Sequence, residues 1–240
     1  QAGRSGNGGP EGVASVKTMR SNRSWLVDDA YAALKAAILA NDYTSGQHIS
    51  AQDIAARLGM SRTPVQEAAL RLQQEGLLDI LPKRGIRIRS LTHEDISEIY
   101  DVLIALEGHA AAMLAAQPEE KRRNACARLA EDTDNMAGAI ARGDRAAWAD
   151  ADARFHHLLI ERCENFRFQT IVGTVNAQAH RVRTLTVNLR HSLKDSVTEH
   201  RRIIAAVAAG DAGQASGEAR GHRARARLEI LPLLAHLGLK

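Results

Sequence analysis

The sequence predicts a mainly α-helical chain in two parts: an N-terminal unit of three helices closed by a β-hairpin, and a C-terminal antiparallel bundle of about six helices. Three observations carry this. Apolar residues recur with helical spacing through most of the chain. Gly, Pro and Asn/Asp interrupt that spacing at intervals typical of helix length. Only residues 77–91 contain short β-prone runs. The parts divide as a flexible tail over 1–22, a small unit over 23–91 and a helical unit over 92–240.

Residues 1–22 are rich in Gly and Ser and lack the apolar stretch of a signal peptide. From Trp25 to Asn41, Leu26, Ala30, Ala33, Leu34, Ala37 and Ile38 share one face, which predicts a helix. Thr44-Ser45-Gly46 ends it. Ser50 is an N-cap for a second helix over 51–58, with Asp53 three residues on, and Gly59 stops it. A third helix starts at Ser61 or Arg62, tolerates Pro64 in its first turn and ends at Gly76. Leu77–Leu81 and Ile86–Leu91 then form two strands joined by Pro82-Lys83-Arg84-Gly85. Ile86 and Ile88 face one way; Arg87 and Arg89 face the other.

Thr92 with Asp95 is a capping-box start for the long helices that follow. Pro118, Gly143, Glu164-Asn165, the stretch near His191 and Gly210 divide them into helices near 93–116, 119–141, 144–163, 166–190, 193–209 and 211–236. Aromatic residues make up 3% of the chain, so the core must be aliphatic.

Charge is uneven. Residues 1–90 hold 12 Lys/Arg against 8 Asp/Glu, so the chain's whole excess of +4 lies there. A basic unit beside a neutral one suits a polyanionic partner. The two cysteines, Cys126 and Cys163, form no paired motif, which fits a reducing cytoplasm. No apolar run approaches the ~20 residues of a membrane span.

Helix, short turn, helix and basic hairpin is the order of a winged helix-turn-helix. In that arrangement the second helix enters the major groove N-terminus first. Arg62 suits bidentate contact with guanine, Gln66 suits adenine, and Thr63 suits a phosphate or a thymine methyl. Lys83 and Arg84 at the wing tip suit backbone phosphates or the minor groove, with Gly85 allowing the tight turn.

The stretch LGMSRTPVQEAALRLQQEGLL followed by PKRG resembles the GntR family of bacterial regulators. The resemblance covers about residues 25–91. It implies double-stranded DNA with a palindromic operator as partner, and a homodimer to read it. The family commonly has arginine where Gln66 stands and a basic residue where Gln52 stands. Gln52 remains a candidate DNA contact.

In the second unit, Asp152 and His156 lie i, i+4 on one helix, His200 follows Glu199 on another, and His222 lies on the last. Three helices can bring one carboxylate and three imidazoles together, a suitable shell for Zn²⁺ or a similar ion. Taken from spacing alone, these histidines can equally be hydrogen-bonded core residues. DARFHHLL, EHRRIIAAVAAGD and RGHRARA resemble the FadR-type, metal-binding FCD domain of the same family. That likeness implies Asp152, His156, His200 and His222 as ligands of a divalent metal, zinc first, with nickel or manganese as alternatives. It also implies a small effector, a carboxylic acid, whose binding modulates operator affinity, in most members by relieving repression. Many members pair the acid with an arginine four residues before a glutamate. Here the glutamate is Glu107 and the matching position is Leu103, so either the effector is less acidic or another cation, with Arg154, Arg181 and Arg183 as candidates, takes the arginine's place. Two other readings stay open: a metal-stabilised regulator without effector, and a metal-dependent hydrolase, whose general base would be Glu107 or Glu161.

Overall fold

The computed structural model describes residues 12–191 and 193–236, with side chains from Trp25 to Leu234 apart from residue 192. The chain separates into two compact units: residues 1–37 with 47–88, and residues 38–46 with 89–240.

The first unit holds α1 (Gly12–Leu39, its last two residues in the second unit), β1 (His48–Ile49), α2 (Ala51–Leu58), α3 (Arg62–Gln74), β2 (Leu78–Leu81) and β3 (Gly85–Ile88). Ser50 caps α2 by accepting the Asp53 N–H at 3.0 Å, and Gly59 closes it in the left-handed region. Val65, Ala68, Ala69 and Leu72 bury one face of α3, while Arg62, Thr63 and Gln66 stay exposed. Helix α1 is docked on α3 through polar contacts. Lys35 Nζ lies 2.7 Å from Glu75 Oε2, Asp28 pairs with Arg71, and the Arg71 guanidinium sits over the Tyr31 ring.

Two details differ from expectation. Helix α1 begins at Gly12, so residues 12–22 are helical rather than tail; residues 1–11 fall outside the described residues. Residues 13–22 contain neither Gly nor Pro, and extending an existing helix avoids the cost of a new nucleus. The hairpin also gains a strand. β1 pairs antiparallel with β3, giving the order β1-β3-β2, with Ile49 opposite Ile86. Gly85 enables this. A Cβ there would lie 2.8 Å from the Ile49 carbonyl oxygen, and its φ is +85°. Gly85→Val is therefore expected to lower the melting temperature by several degrees, through about 1–3 kcal/mol of strain and displaced sheet. Calorimetry checks this. An unchanged melting temperature would mean that β1 is not held against β3.

The second unit holds α4 (His93–Ala115), α5 (Glu119–Arg142), α6 (Arg145–Glu161), α7 (Phe166–Thr186), α8 (Leu193–Ala209) and α9 (Ala212–His236). Thr92 and Asp95 form the full reciprocal capping box at the head of α4. Helix α4 packs chiefly on α9, and α5 on α6 and α8. The α4–α9 approach is close at Gly108, where a Cβ would meet the Arg220 side chain at 2.4 Å. The core is aliphatic, with Trp148, Phe155 and Tyr100 as its large aromatic members. Leu103 is fully buried within it. No described helix is long and apolar enough to cross a membrane.

Candidate functional site

Two surfaces hold the residues that the sequence singled out. In the first unit, Gln52, Arg62, Gln66, Lys83 and Gly85 line one cleft between α2, α3 and the hairpin, with Leu70 exposed beside them. Thr63 and Arg84 are exposed but do not line it. The N-terminal turn of α3 and the wing tip thus present exposed donors and acceptors, as groove reading requires.

In the second unit, Asp152, His156, His200 and His222 converge. All four are buried, and one ligand atom from each lies within 4.8 Å of the others. Helical periodicity explains the pair on α6: four residues make one turn, so Asp152 and His156 share its inner face. The three imidazoles meet through Nε2. His156 Nε2 and His200 Nε2 lie 3.2 and 3.3 Å from His222 Nε2. Asp152 lies 3.6 Å from the Nε2 atoms of both His156 and His200.

Two outer nitrogens face carboxylates, and that of His222 makes a hydrogen bond. His156 Nδ1 lies 2.9 Å from Glu107 Oε2, and His222 Nδ1 lies 2.7 Å from Glu199 Oε2. An Nδ1–H facing a carboxylate leaves a lone pair on Nε2. Where two such Nε2 lone pairs face each other at about 3.3 Å they repel, and a cation between them relieves this. Nitrogens bound to tetrahedral Zn²⁺ at about 2.0–2.1 Å stand about 3.3 Å apart, so the donor set fits such an ion. His200 Nδ1 has no partner among the described residues, and the Phe155 ring stacks on His200 at 3.7 Å.

Electrostatics follow from burial. Desolvation and the neighbouring imidazoles hold the His200 and His222 pKa values well below the ordinary range, so both are neutral and ready to ligate. Burial pushes the Asp152 carboxyl up, but Arg183 and the imidazoles outweigh it and keep Asp152 ionised. Glu107 is likewise held ionised, against its burial, by Arg223 and His156.

The three candidate cations separate cleanly. Arg154 is exposed and pairs with Asp132. Arg181 is buried but occupied elsewhere, donating to the Arg89 carbonyl at 2.7 Å, to Ser45 Oγ and to Asn41. Arg183 alone of the three reaches the cluster, with Nε against Asp152. Sequence reasoning did not single out Arg223, which follows His222 and forks onto Glu107 from α9. Its only sequence signal was that adjacency. His157 is exposed, as its position 100° round the helix from His156 implies.

A winged helix-turn-helix unit together with a helical unit enclosing a buried polar centre is the arrangement of a DNA-binding transcription regulator. The comparisons with known proteins agree. Residues 26–88 match the model of the bacterial regulatory proteins of the gntR family, and residues 98–225 match the FCD domain. The chain belongs to this family of FCD-bearing GntR regulators. It is 47% identical over 134 residues to an HTH-type transcriptional regulator of the TAR-I ttuE-ttuC' intergenic region of Agrobacterium vitis, covering 56% of this chain and 78% of that one. It is 32% identical to a probable D-xylose utilization operon transcriptional repressor of Paenarthrobacter nicotinovorans, over 80% of each chain. Among solved structures, a putative GntR regulator from Rhodococcus sp. RHA1 superposes with a TM-score of 0.71 at 26% identity, covering 86% of this chain and 97% of that one. E. coli McbR/YncC shares the fold, with a TM-score of 0.75 at 19% identity and 88% and 98% coverage.

Proposed function

We propose that the chain is a cytoplasmic repressor that binds a palindromic operator as a homodimer and releases it when a small carboxylate enters the helical unit. A divalent metal, zinc first and nickel or manganese after it, is held by Asp152, His156, His200 and His222. The observation that supports this reading best is the meeting of three imidazole Nε2 atoms and one carboxylate, with Arg183 beside them. When bound, the metal supplies a localised positive charge that attracts an anionic ligand.

The chain's own residues supply the rest. Glu107 and Glu199 orient two of the imidazoles, and Arg223 holds Glu107 in place. Arg183 is the cation that Leu103 cannot provide. A planar guanidinium can fork onto an incoming carboxylate while keeping Asp152 aligned. Arg62, Thr63, Gln66 and Gln52 face the bases, and Lys83, Arg84 and Gly85 place the wing on the backbone. An effector shifts operator affinity only through its difference in affinity for the two states.

Fluorescence anisotropy tests this, with the metal-loaded protein on DNA flanking its own gene. A carboxylate panel is expected to contain an acid that weakens operator binding roughly fivefold or more. Arg183→Met is expected to remove that response while leaving affinity for the operator without ligand within about twofold. A response that survives Arg183→Met would move the acid elsewhere. The second reading, a metal that only holds the helices together, is favoured by the same four donors, since four ligands complete a tetrahedral shell. It predicts that no acid changes operator affinity.

A further inference from the structure

One turn before Asp152, on the same inner face of α6, lies Trp148. It is fully buried, and its Nε1–H has no partner among the described residues. Against it lies Arg190, at the end of the chain that leaves α7. Its guanidinium carbon is 5.0 Å from the centre of the Trp148 ring. Arg190 is 3% exposed. One of its Nη atoms donates to Glu229 at 2.8 Å, but its Nε–H has no partner among the described residues. The apolar residues clustered with Trp148, namely Met136, Ala139, Val187, Leu193 and Val197, offer no side-chain acceptor, and the carbonyls of Val187 and Arg190 accept from Arg145 instead.

Two neighbouring buried donors without acceptors are costly, and native cores rarely keep such a pair without a use for it. Both point to a ligand that brings an acceptor. Four residues of helix separate Trp148 from Asp152, on the order of 6 Å along the axis. That is about the length of a small diacid.

We propose that Trp148 and Arg190 form a second acceptor subsite, and that the effector is a small dicarboxylate rather than a monocarboxylate. One carboxylate meets Arg183 beside the four-ligand cluster. The other accepts from Trp148 Nε1–H and Arg190 Nε–H. The positive charge of Arg190 and the apolar wall behind it favour a carboxylate over a neutral acceptor. This rests on the reading of the bundle as a carboxylate sensor, and it adds the number and placement of the acidic groups.

The chain has two tryptophans, Trp148 and the exposed Trp25, so its ¹⁵N spectrum contains two indole N–H signals. Trp25→Phe assigns them. The zinc-loaded full chain is titrated with acetate, butyrate, succinate and glutarate. Succinate or glutarate is expected to shift the Trp148 indole signal and leave Trp25 unmoved, while acetate and butyrate shift neither. By calorimetry, Trp148→Phe is expected to weaken the diacid about tenfold or more and leave the monoacids within twofold. The inference is overturned if monoacids bind as tightly as diacids, or if a diacid binds without moving the Trp148 signal. Should Trp148→Phe fail to fold, the wild-type spectra decide alone. If none of the four acids binds, the carboxylate-sensor reading falls, and the second subsite with it.

Discussion

His200→Ala is expected to reduce metal affinity by about 100-fold. Structural zinc sites bind with roughly 10–16 kcal/mol, which shared over four ligands is about 3 kcal/mol each. His200 is the clean choice. Its Nδ1 has no partner among the described residues, so apart from the proposed ligand Asp152 the substitution breaks no carboxylate contact, whereas His156 and His222 also lie against Glu107 and Glu199. Competition with a chromophoric chelator, read with elemental analysis, measures the loss. Retention of full affinity would remove His200 from the ligand set.

The same histidines give a pH dependence whose sign is fixed. Their pKa values are lowered in the folded state, so below about pH 6.5 the unfolded chain takes up protons that the native chain does not. Stability contributed by the neutral pair is fully present above pH 6.5 and is lost as pH falls below it. The slope approaches about 1.4 kcal/mol per pH unit for each histidine. Metal binding, which needs neutral imidazoles, weakens in the same direction. Melting curves of metal-free protein between pH 7.5 and 5 are expected to fall steadily. A flat profile would mean that the imidazoles are already protonated or still solvated.

The second large effect is expected at Arg62. A bidentate arginine–guanine pair discriminates by about 1–3 kcal/mol, and the proposed dimer on a palindrome would use it twice. Arg62→Ala is therefore expected to weaken operator binding by about 100-fold or more while leaving binding to unrelated DNA nearly unchanged. Lys83→Ala should behave differently: affinity falls across all sequences, and the slope of log affinity against log salt drops by about 0.9 per lysine removed. Titrations at several salt concentrations separate the two. Equal losses on specific and unrelated DNA after Arg62→Ala would make it a phosphate contact.

Much of this fold was legible because its signals are local. Thr92 and Asp95 announce α4, Ser50 and Asp53 announce α2, and Gly59 and Gly143 close helices in the left-handed conformation. The helix spacing on α6 placed Asp152 beside His156. What escaped depends on distance along the chain or on length. β1 is two residues long, too short for any periodicity, and exists because β3 offers it an edge. Glu107 and Arg223 are 116 residues apart, and nothing at either position names the other. Periodicity also gives a side chain's direction without its depth. That is why Arg154, Arg181 and Arg183 looked alike in sequence, yet the fold exposes one, occupies another and sets the third against Asp152.

The four proposed ligands come from α6, α8 and α9, and 66 residues separate His156 from His222. An ion joining them closes that loop as a covalent cross-link would, and loops of this size are worth about 4 kcal/mol to the folded chain. Unfolding that separates these helices, which exposes their backbone to proteases, becomes rarer by the corresponding factor of nearly a thousand. Metal supply then acts on the lifetime of the polypeptide. If the chain is the metal-holding repressor proposed above, a cell short of the ion would degrade it sooner, and the genes under its operator would be expressed through loss of protein even with no effector present.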